Sequence, residues 1–455
     1  MSSERTVVKA KIVITMDSSQ RVYKDGAVMF EDSVITAVGR YDEVLKSGKP
    51  DISYEINDGV IMPGLVCAHT HLYGIALRGA ILNITPPSDF LQILQRVWWP
   101  LDEKLTNEDA YATALAACME FALSGTTTFA DTYSAPNGIE GSLDAIARAV
   151  NEIGIRGVIS FEATERRSEE EGRRGVEENI RFLKKQDKGR AFGMISLHAS
   201  FTVTDDLIRR GVEAAEKYNA PITIHVSEGP NDLYHNMERY GKRTVERLKE
   251  TGLLSNKAVL AHCVHLNYDE LQILKQTGTN VAHNPMSNML NAVGVQPLPE
   301  MLKLGINVGL GNDGYVFDMF ENMRSCFLLH RVARRDPNVI PPQRVLNMAT
   351  VDAARAYGLY DIGSIEVGKK ADLIVVRPSV LATPLTGSIY GYIINALRGE
   401  DVKMVFVDGE LVVKDHRLTK INHEEAERKV LGIIEDLWER LGTAPPEAVE
   451  PLKLL

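Results

Sequence analysis

A chain of 455 residues with 44% hydrophobic and 25% charged side chains has ample material for a core, and it exceeds the roughly 250 residues of a plain β/α barrel, leaving room for a smaller second domain. Its formal net charge of −10, without any long basic block, argues against a nucleic-acid or anionic-membrane partner. No run approaches the ~18 apolar residues of a membrane span, no signal-peptide centre follows Met1, and the four scattered cysteines read as reduced core thiols, so a cytoplasmic protein is expected.

In chain order, residues 1–58 read as short strands with tight turns, at 6–15, 27–30 and 34–38. The run 59–66 then opens an alternation of apolar β-like stretches and helical patterns that continues to 364. Its later strands are expected at 126–130, 157–161, 192–197, 221–225, 258–261, 279–282 and 306–309, with helices at 106–123, 141–152, 175–185, 205–218 and 244–251. Eight such strands separated by helices predict an α/β fold, a closed (β/α)8 TIM-like barrel over 59–364. No glycine-rich phosphate loop follows any strand, which weakens an open doubly wound sheet. Residues 365–422 return to strands, at 371–376 and 402–413, with Asp408-Gly409 as a hairpin turn. Each terminal piece alone is too small to bury a core, so the two are expected to build one composite β-sandwich. A charged helix at 423–440 begins the final segment, 423–455, and packs outside.

Residues i and i+2 of a strand share a face, so His69 and His71 can grip one ion from a strand end. An isolated His-x-His is a weak signal. Here three more groups close apolar runs in the same way: His225 after 221–224, His262 after 258–261 and Asp313 after 308–312. In a β/α barrel the C-terminal strand ends form the active-site rim, so strands one, five, six and eight would bring them together. Imidazole and carboxylate donors without thiolate suit one divalent ion per subunit, Zn²⁺ first and Fe²⁺ as the alternative, on His69, His71, His225 and Asp313. Strand four carries no lysine that could bridge two metals, which favours a single ion. A bound ion lowers the pKa of its water to about 7, so metal-assisted hydrolysis is the expected chemistry.

Glu228, just beyond His225, is placed to carry a proton from the water to a substrate nitrogen. Asp313 could take up a proton as well as ligate, and His262 either ligates or orients the water. His198 is read as a substrate contact or as a hydrogen bond supporting its own loop. Trp98 and Trp99 form an aromatic wall over a planar substrate or a core anchor. Glu162 ends strand three, where capping the next loop is preferred to holding an amidine-like edge. His235, His265, His330, His416 and His423 lack the strand-end context and are read as surface or packing residues.

Five segments carry a resemblance: Pro63-Gly64-Leu65-Val66-Cys67-Ala68-His69-Thr70-His71, Ser124-Gly125-Thr126-Thr127-Thr128, His198-Ala199-Ser200-Phe201-Thr202, His225-Val226-Ser227-Glu228 and Asn284-Pro285-Met286-Ser287-Asn288. They resemble the amidohydrolase superfamily, and within it the branch of the cytosine and adenosylhomocysteine deaminases. Gly311-Asn312-Asp313-Gly314 and the segment 363–373 extend the match over nearly the whole chain. Arg78-Gly79, Asp89-Phe90, Trp98-Trp99-Pro100-Leu101-Asp102 and Asp318-Met319-Phe320-Glu321 are similar to SsnA-type aminohydrolases, which are linked with purine breakdown. The resemblance implies a barrel with a composite β-sandwich, a homo-oligomer that is usually a dimer, metal on His69, His71, His225 and Asp313, a catalytic set completed by Glu228 and His262, and His198 on the substrate. Asn312 replaces the commoner threonine and keeps a polar side chain beside Asp313.

The expected activity is hydrolytic deamination of an amino-substituted nitrogen heterocycle: a purine, pyrimidine or pterin. The same residues could displace chloride from an s-triazine or open a cyclic amide. A reading from another class, a metal-stabilised binding protein without catalysis, would have no need of Glu228.

Overall fold

The computed structural model describes residues 4–378, 385 and 387–443. Eight parallel strands, Leu65–Thr70, Thr126–Tyr133, Arg156–Ala163, Ile195–Ala199, Ile222–Val226, Ala258–His262, Asn280–His283 and Val308–Leu310, neighbour one another in chain order. Every residue in them is buried, as parallel strands covered by helices demand. The first and last strands meet where the N–H groups of Asn312 and Asp313 donate to the His69 carbonyl at 3.0 and 3.2 Å. A Cβ on Gly311 would stand 2.7 Å from that carbonyl, so only glycine lets the seam approach so closely. The barrel is nearly closed, with strand ends Thr70, Val226, His262 and Leu310 on one rim.

The helices start at recognisable caps. Thr106 and Asp109 cap Asn107–Leu123 reciprocally, and Thr204 caps Asp205–Tyr218. The helix expected at 175–185 begins earlier, as Glu169–Lys184 behind the Ser168 cap, because its acidic first turn suits the positive end of the helix dipole.

Strands from both ends of the chain form a second sheet in the order Arg417–Leu418, Glu410–Lys414, Val402–Val407, Leu373–Val376, Ile52–Pro63, Arg5–Ile14, Val22–Glu31, Val34–Arg40. Phe30 and Phe406 lie four strands apart in that order, yet their ring centroids are 5.5 Å apart. The sheet therefore folds over on itself around Val8, Phe30, Ile61, Leu373 and Phe406, giving the two-layered core expected of the terminal pieces. The run expected to open the barrel at residue 59 instead stays in this sheet as far as Pro63, which pairs with Leu373, and the first barrel strand starts at Leu65. The stretch is apolar on both sides of Gly64 because both layers bury it, so hydropathy does not mark the change of sheet. The buried Arg156 guanidinium joins the two bodies, pairing with Asp372 and, at 2.6 Å, with Asp408.

The last helix, His423–Leu441, lies outside the barrel, with the Trp438 indole N–H donating to the Ala76 carbonyl at 2.7 Å. The expected tail at 444–455 falls outside the described residues. No helix among the described residues is long and apolar enough to cross a membrane.

Candidate metal centre and catalytic cleft

His69, His71, His225 and Asp313 each offer one ligand atom within 4.8 Å of the others, and Glu228 and His262 form an overlapping group with Asp313. Six residues from four strands thus converge on the barrel rim. Asp313 Oδ1 lies 3.0 Å from His69 Nε2, 3.3 Å from His71 Nε2 and 3.6 Å from His262 Nε2. Glu228 Oε2 stands 3.4 Å from His262 Nε2.

The tautomers test whether a metal suits this set. His71 Nδ1 donates to the Thr132 carbonyl at 2.8 Å, and His225 Nδ1 donates to the His198 carbonyl at 2.6 Å. Each neutral ring therefore has its lone pair on Nε2, and these two nitrogens face each other at 3.2 Å. A proton on one Nε2 or a cation between the two satisfies that approach, and carbonyl-anchored Nδ1–H groups are the usual support of metal-bound imidazoles. The donor set fits one divalent ion.

The electrostatics point the same way. Burial is resisted at Asp313 by His262, His69 and His71, which hold its carboxyl well below the ordinary range. Against burial, Asp313 and Glu162 lift His71 to about 10. Burial drives Glu228 up to about 8, with Asp313 adding and His262 opposing. Against burial, Glu228 and Asp313 lift His262 to about 9. The site asks for positive charge where the lone pairs converge. Ser227, His262, Cys263 and Asp313 all hold left-handed backbone, with φ of 46°, 70°, 52° and 59°. Such conformations cost non-glycine residues about 1–3 kcal/mol each and gather where side chains must be aimed.

A narrow cleft opens over the site. Tyr73, Phe90, Trp98, Trp99 and Phe201 wall it. Trp98 is both wall and anchor, since it lines the cleft while its buried ring meets Tyr73 and Tyr315 edge-on at 5.8 and 5.7 Å. His198 also lines the cleft, and its Nδ1 bonds the Thr202 hydroxyl at 2.7 Å, so the two readings of this residue coexist. Glu162 does not make the expected loop cap. Its Oε1 lies 3.3 Å from His225 Nδ1 with no hydrogen bond, while the loop is pinned by Thr164, whose hydroxyl oxygen accepts from the Arg166 N–H at 3.4 Å.

Residues 60–412 match the model of the amidohydrolase family. The chain belongs to that family. It is 34% identical to the 5'-deoxyadenosine deaminase of Methanosarcina mazei over 96% of its own length and 99% of the relative's. An adenosine deaminase from Xanthomonas campestris, solved with bound zinc, superposes with a TM-score of 0.86 at 24% identity, over 96% of this chain and 99% of that one. Atrazine chlorohydrolase from Arthrobacter aurescens TC1, complexed with zinc, superposes with a TM-score of 0.82 at 23% identity, over 94% and 100% of the two chains. These two likenesses show a shared fold.

Several polar supports in this amidohydrolase escaped the sequence reading. Ser287 donates to Asp313 Oδ2, and Asn288 Oδ1 lies 2.9 Å from His262 Nδ1. Both lie in Asn284-Pro285-Met286-Ser287-Asn288, a segment that carried the resemblance without suggesting these contacts. Asn312 braces the loop behind Asp313, accepting from the Gly314 N–H at 3.2 Å and donating to the Val316 carbonyl at 3.0 Å. His283 closes strand seven as His262 closes strand six, yet it joins Cys326 and His330 of the helix Met319–Arg334 in a buried cluster outside the barrel mouth. Its Nε2 lies 3.0 Å from His330 Nε2, and neither Nδ1 has a partner. Their tautomers are free, so one N–H···N bond accounts for the approach. His330 is a packing residue, as expected.

Proposed function

We propose that this amidohydrolase hydrolytically deaminates an amino-substituted nitrogen heterocycle of the adenosine-like purine type, taking up water and releasing ammonia. The opposed Nε2 atoms of His71 and His225, with an acid-form Glu228 beside them, carry this reading. The relative from Methanosarcina mazei, a 5'-deoxyadenosine deaminase matched nearly end to end, supports the purine.

His69, His71, His225 and Asp313 would hold one divalent ion, taken here as Zn²⁺, which when bound supplies the Lewis acidity that brings a water's pKa near 7. Glu228, protonated up to about 8, gives its proton to the ring nitrogen next to the carbon bearing the amine and so makes that carbon electron-poor. Asp313 Oδ1 accepts a proton from the attacking water. His262, in reach of both Asp313 and Glu228, aligns the two carboxyls and steadies their charges. Asp313 returns its proton to the amine, which leaves as ammonia, while the hydroxyl proton passes to Glu228, restoring its acid form and leaving a carbonyl on the ring. Trp98, Tyr73 and Phe201 hold the planar ring and keep bulk water from the cleft. A homodimer in the cytoplasm is the assembly and location proposed with this activity, tested by sedimentation and by fractionation.

The deciding experiment is ammonia release by the zinc-loaded protein from adenosine, 5'-deoxyadenosine, aminopyrimidines and aminopterins. Turnover of at least one is expected. No ammonia from any of them would overturn the proposal, and chloride release from a chloro-s-triazine would replace it.

A further inference from the structure

We propose that Asp232 is a positioning residue for Glu228: its carboxylate holds the Ser227 N–H and, through that one peptide, aims the proton-carrying side chain at the substrate ring. This rests on the deaminase reading above and adds a residue to it. Among the described residues no hydrogen bond holds the Glu228 carboxyl itself, whose nearest ion-pair partner is His262 Nε2 at 3.4 Å. Its aim must therefore come from the backbone that carries it. That backbone is left-handed at Ser227, where φ is 46°, between the strand Ile222–Val226 and Glu228. A serine stays in that conformation only where its surroundings over-determine it.

Every polar group of Ser227 is tied. Its N–H donates to Asp232 Oδ2, its hydroxyl donates to Thr244 Oγ1 at 2.8 Å, and its carbonyl accepts from the N–H groups of Val264 and His265 at 3.1 and 3.0 Å. Asp232 is the charged member of this clamp. It is buried in the first turn of the helix Pro230–Tyr240, where the helix dipole favours a carboxylate. Its Oδ1 accepts from the Ser200 hydroxyl and, at 3.0 Å, from Asn236 Nδ2. Buried Arg247 donates to Asn236 Oδ1 at 3.0 Å, which turns the amide so that its nitrogen faces Asp232. All three neighbours of the Asp232 oxygens are therefore donors, and a carboxylate is the group that can receive them all. Asp232 lines the cleft, yet both its oxygens are occupied within the protein, so it acts on the reaction through Glu228 and not on the substrate. An amide in its place would set an N–H against one of those donors and free the Ser227 peptide to turn.

The test reads kinetics and amide exchange of the zinc-loaded protein. With a heterocycle that releases ammonia, Asp232→Asn should lower kcat about ten- to a hundredfold, the cost of displacing a reacting group by about 1 Å, with KM within about twofold and zinc content unchanged. In a Glu228→Gln background the same substitution should cost less than about twofold, because residues that act as one unit are not additive. Ser200→Ala, which removes a donor from Oδ1 and spares the Ser227 bond, should cost less than Asp232→Asn. Exchange of the Ser227 N–H should quicken by at least about tenfold in Asp232→Asn, as expected for loss of a hydrogen bond to a charged acceptor, while the strands Leu65–Thr70 and Thr126–Tyr133 exchange as before. An equal loss of kcat in both backgrounds, or an unchanged Ser227 exchange rate, would overturn the proposal. So would loss of zinc or of the fold in Asp232→Asn, which would make this residue a support for the whole centre. Exchange is read without turnover, so absence of ammonia from every heterocycle would count against the deaminase reading, whereas an unmoved Ser227 N–H would count against this inference whatever the activity.

Discussion

The indole N–H of Trp98 donates to the Tyr315 hydroxyl at 3.3 Å, and this bond begins a chain that ends on Asp313. Tyr315 donates to Asn291 Oδ1 at 3.1 Å, Asn291 Nδ2 donates to Ser287 Oγ at 3.2 Å, and Ser287 donates to Asp313 Oδ2. The aromatic wall and the carboxylate are thus positioned by one relay. Ser287→Ala should lower kcat about tenfold with little change in KM, since supports of metal ligands are worth about 10- to 100-fold. Tyr315→Phe, which frees Trp98, should raise KM more than it lowers kcat. Steady-state kinetics on both variants distinguishes these outcomes.

Metal removal should be costly and reversible. Without a metal ion, His71 Nε2 and His225 Nε2, 3.2 Å apart in a buried site, are held together by a proton alone. Dialysis against a chelator should abolish turnover and lower Tm by several degrees, and added Zn²⁺ should restore both, because an ion bound only by the folded state stabilises it by mass action. Asp313→Asn should lose zinc on the same treatment more readily than the unaltered protein.

Glu228→Gln should keep its zinc and its Tm while turnover falls by about 10²- to 10⁴-fold, the usual worth of a general acid–base group. Burial raises the unaltered carboxyl above the ordinary carboxylate range and favours its acid form, so kcat/KM should decline on the alkaline side as Glu228 loses its proton. The pH profile of the residual activity in the glutamine variant should lack this alkaline limb.

His283 and His330 should make the fold sensitive to mild acid. Burial holds His330 down to about 4 and His283 well below its ordinary value of 6.5. Between those pH values the unfolded chain binds protons that the folded chain refuses, so stability falls as pH drops from 6.5 toward 4. For His330 alone the loss is on the order of 3 kcal/mol. Urea midpoints across this range should slope less steeply in His330→Gln than in the unaltered protein.

Arg156→Ala should be among the most destabilising single changes. Its guanidinium is buried between the carboxylates of Asp372 and Asp408, and removing one side of a buried ion pair costs about 3–5 kcal/mol. Chemical denaturation should show that loss, and zinc binding at pH 7 should survive wherever the variant remains folded.

The eight barrel strands were legible because parallel strands buried on both faces read as unbroken apolar runs, and a histidine or aspartate at the end of one stands out. What hydropathy hides is where polar residues prolong a strand. Strand two runs through Asp131 and Thr132 to Tyr133, beyond its apolar part, and the run expected at 192–197 breaks into Ala191–Gly193 and Ile195–Ala199 around Met194. Composition at a strand end does not reveal its facing either. His262 and His283 close neighbouring strands, and only the period-two alternation in three dimensions sends one inward and the other toward a helix. The relay from Trp98 to Asp313 was invisible for a different reason, since its members lie 217, 24, 4 and 26 positions apart in successive links.

The weaving of the outer sheet from both ends of the chain sets an order of assembly during synthesis. Ile52–Pro63 emerges early with Arg5–Ile14 beside it, but its other edge has no strand to meet until Leu373–Val376 leaves the ribosome. For most of translation the nascent protein therefore carries an open β-edge, the kind of surface that recruits chaperones or pairs with a second nascent chain. A chain cut short before residue 373 would keep that edge permanently, however complete its barrel.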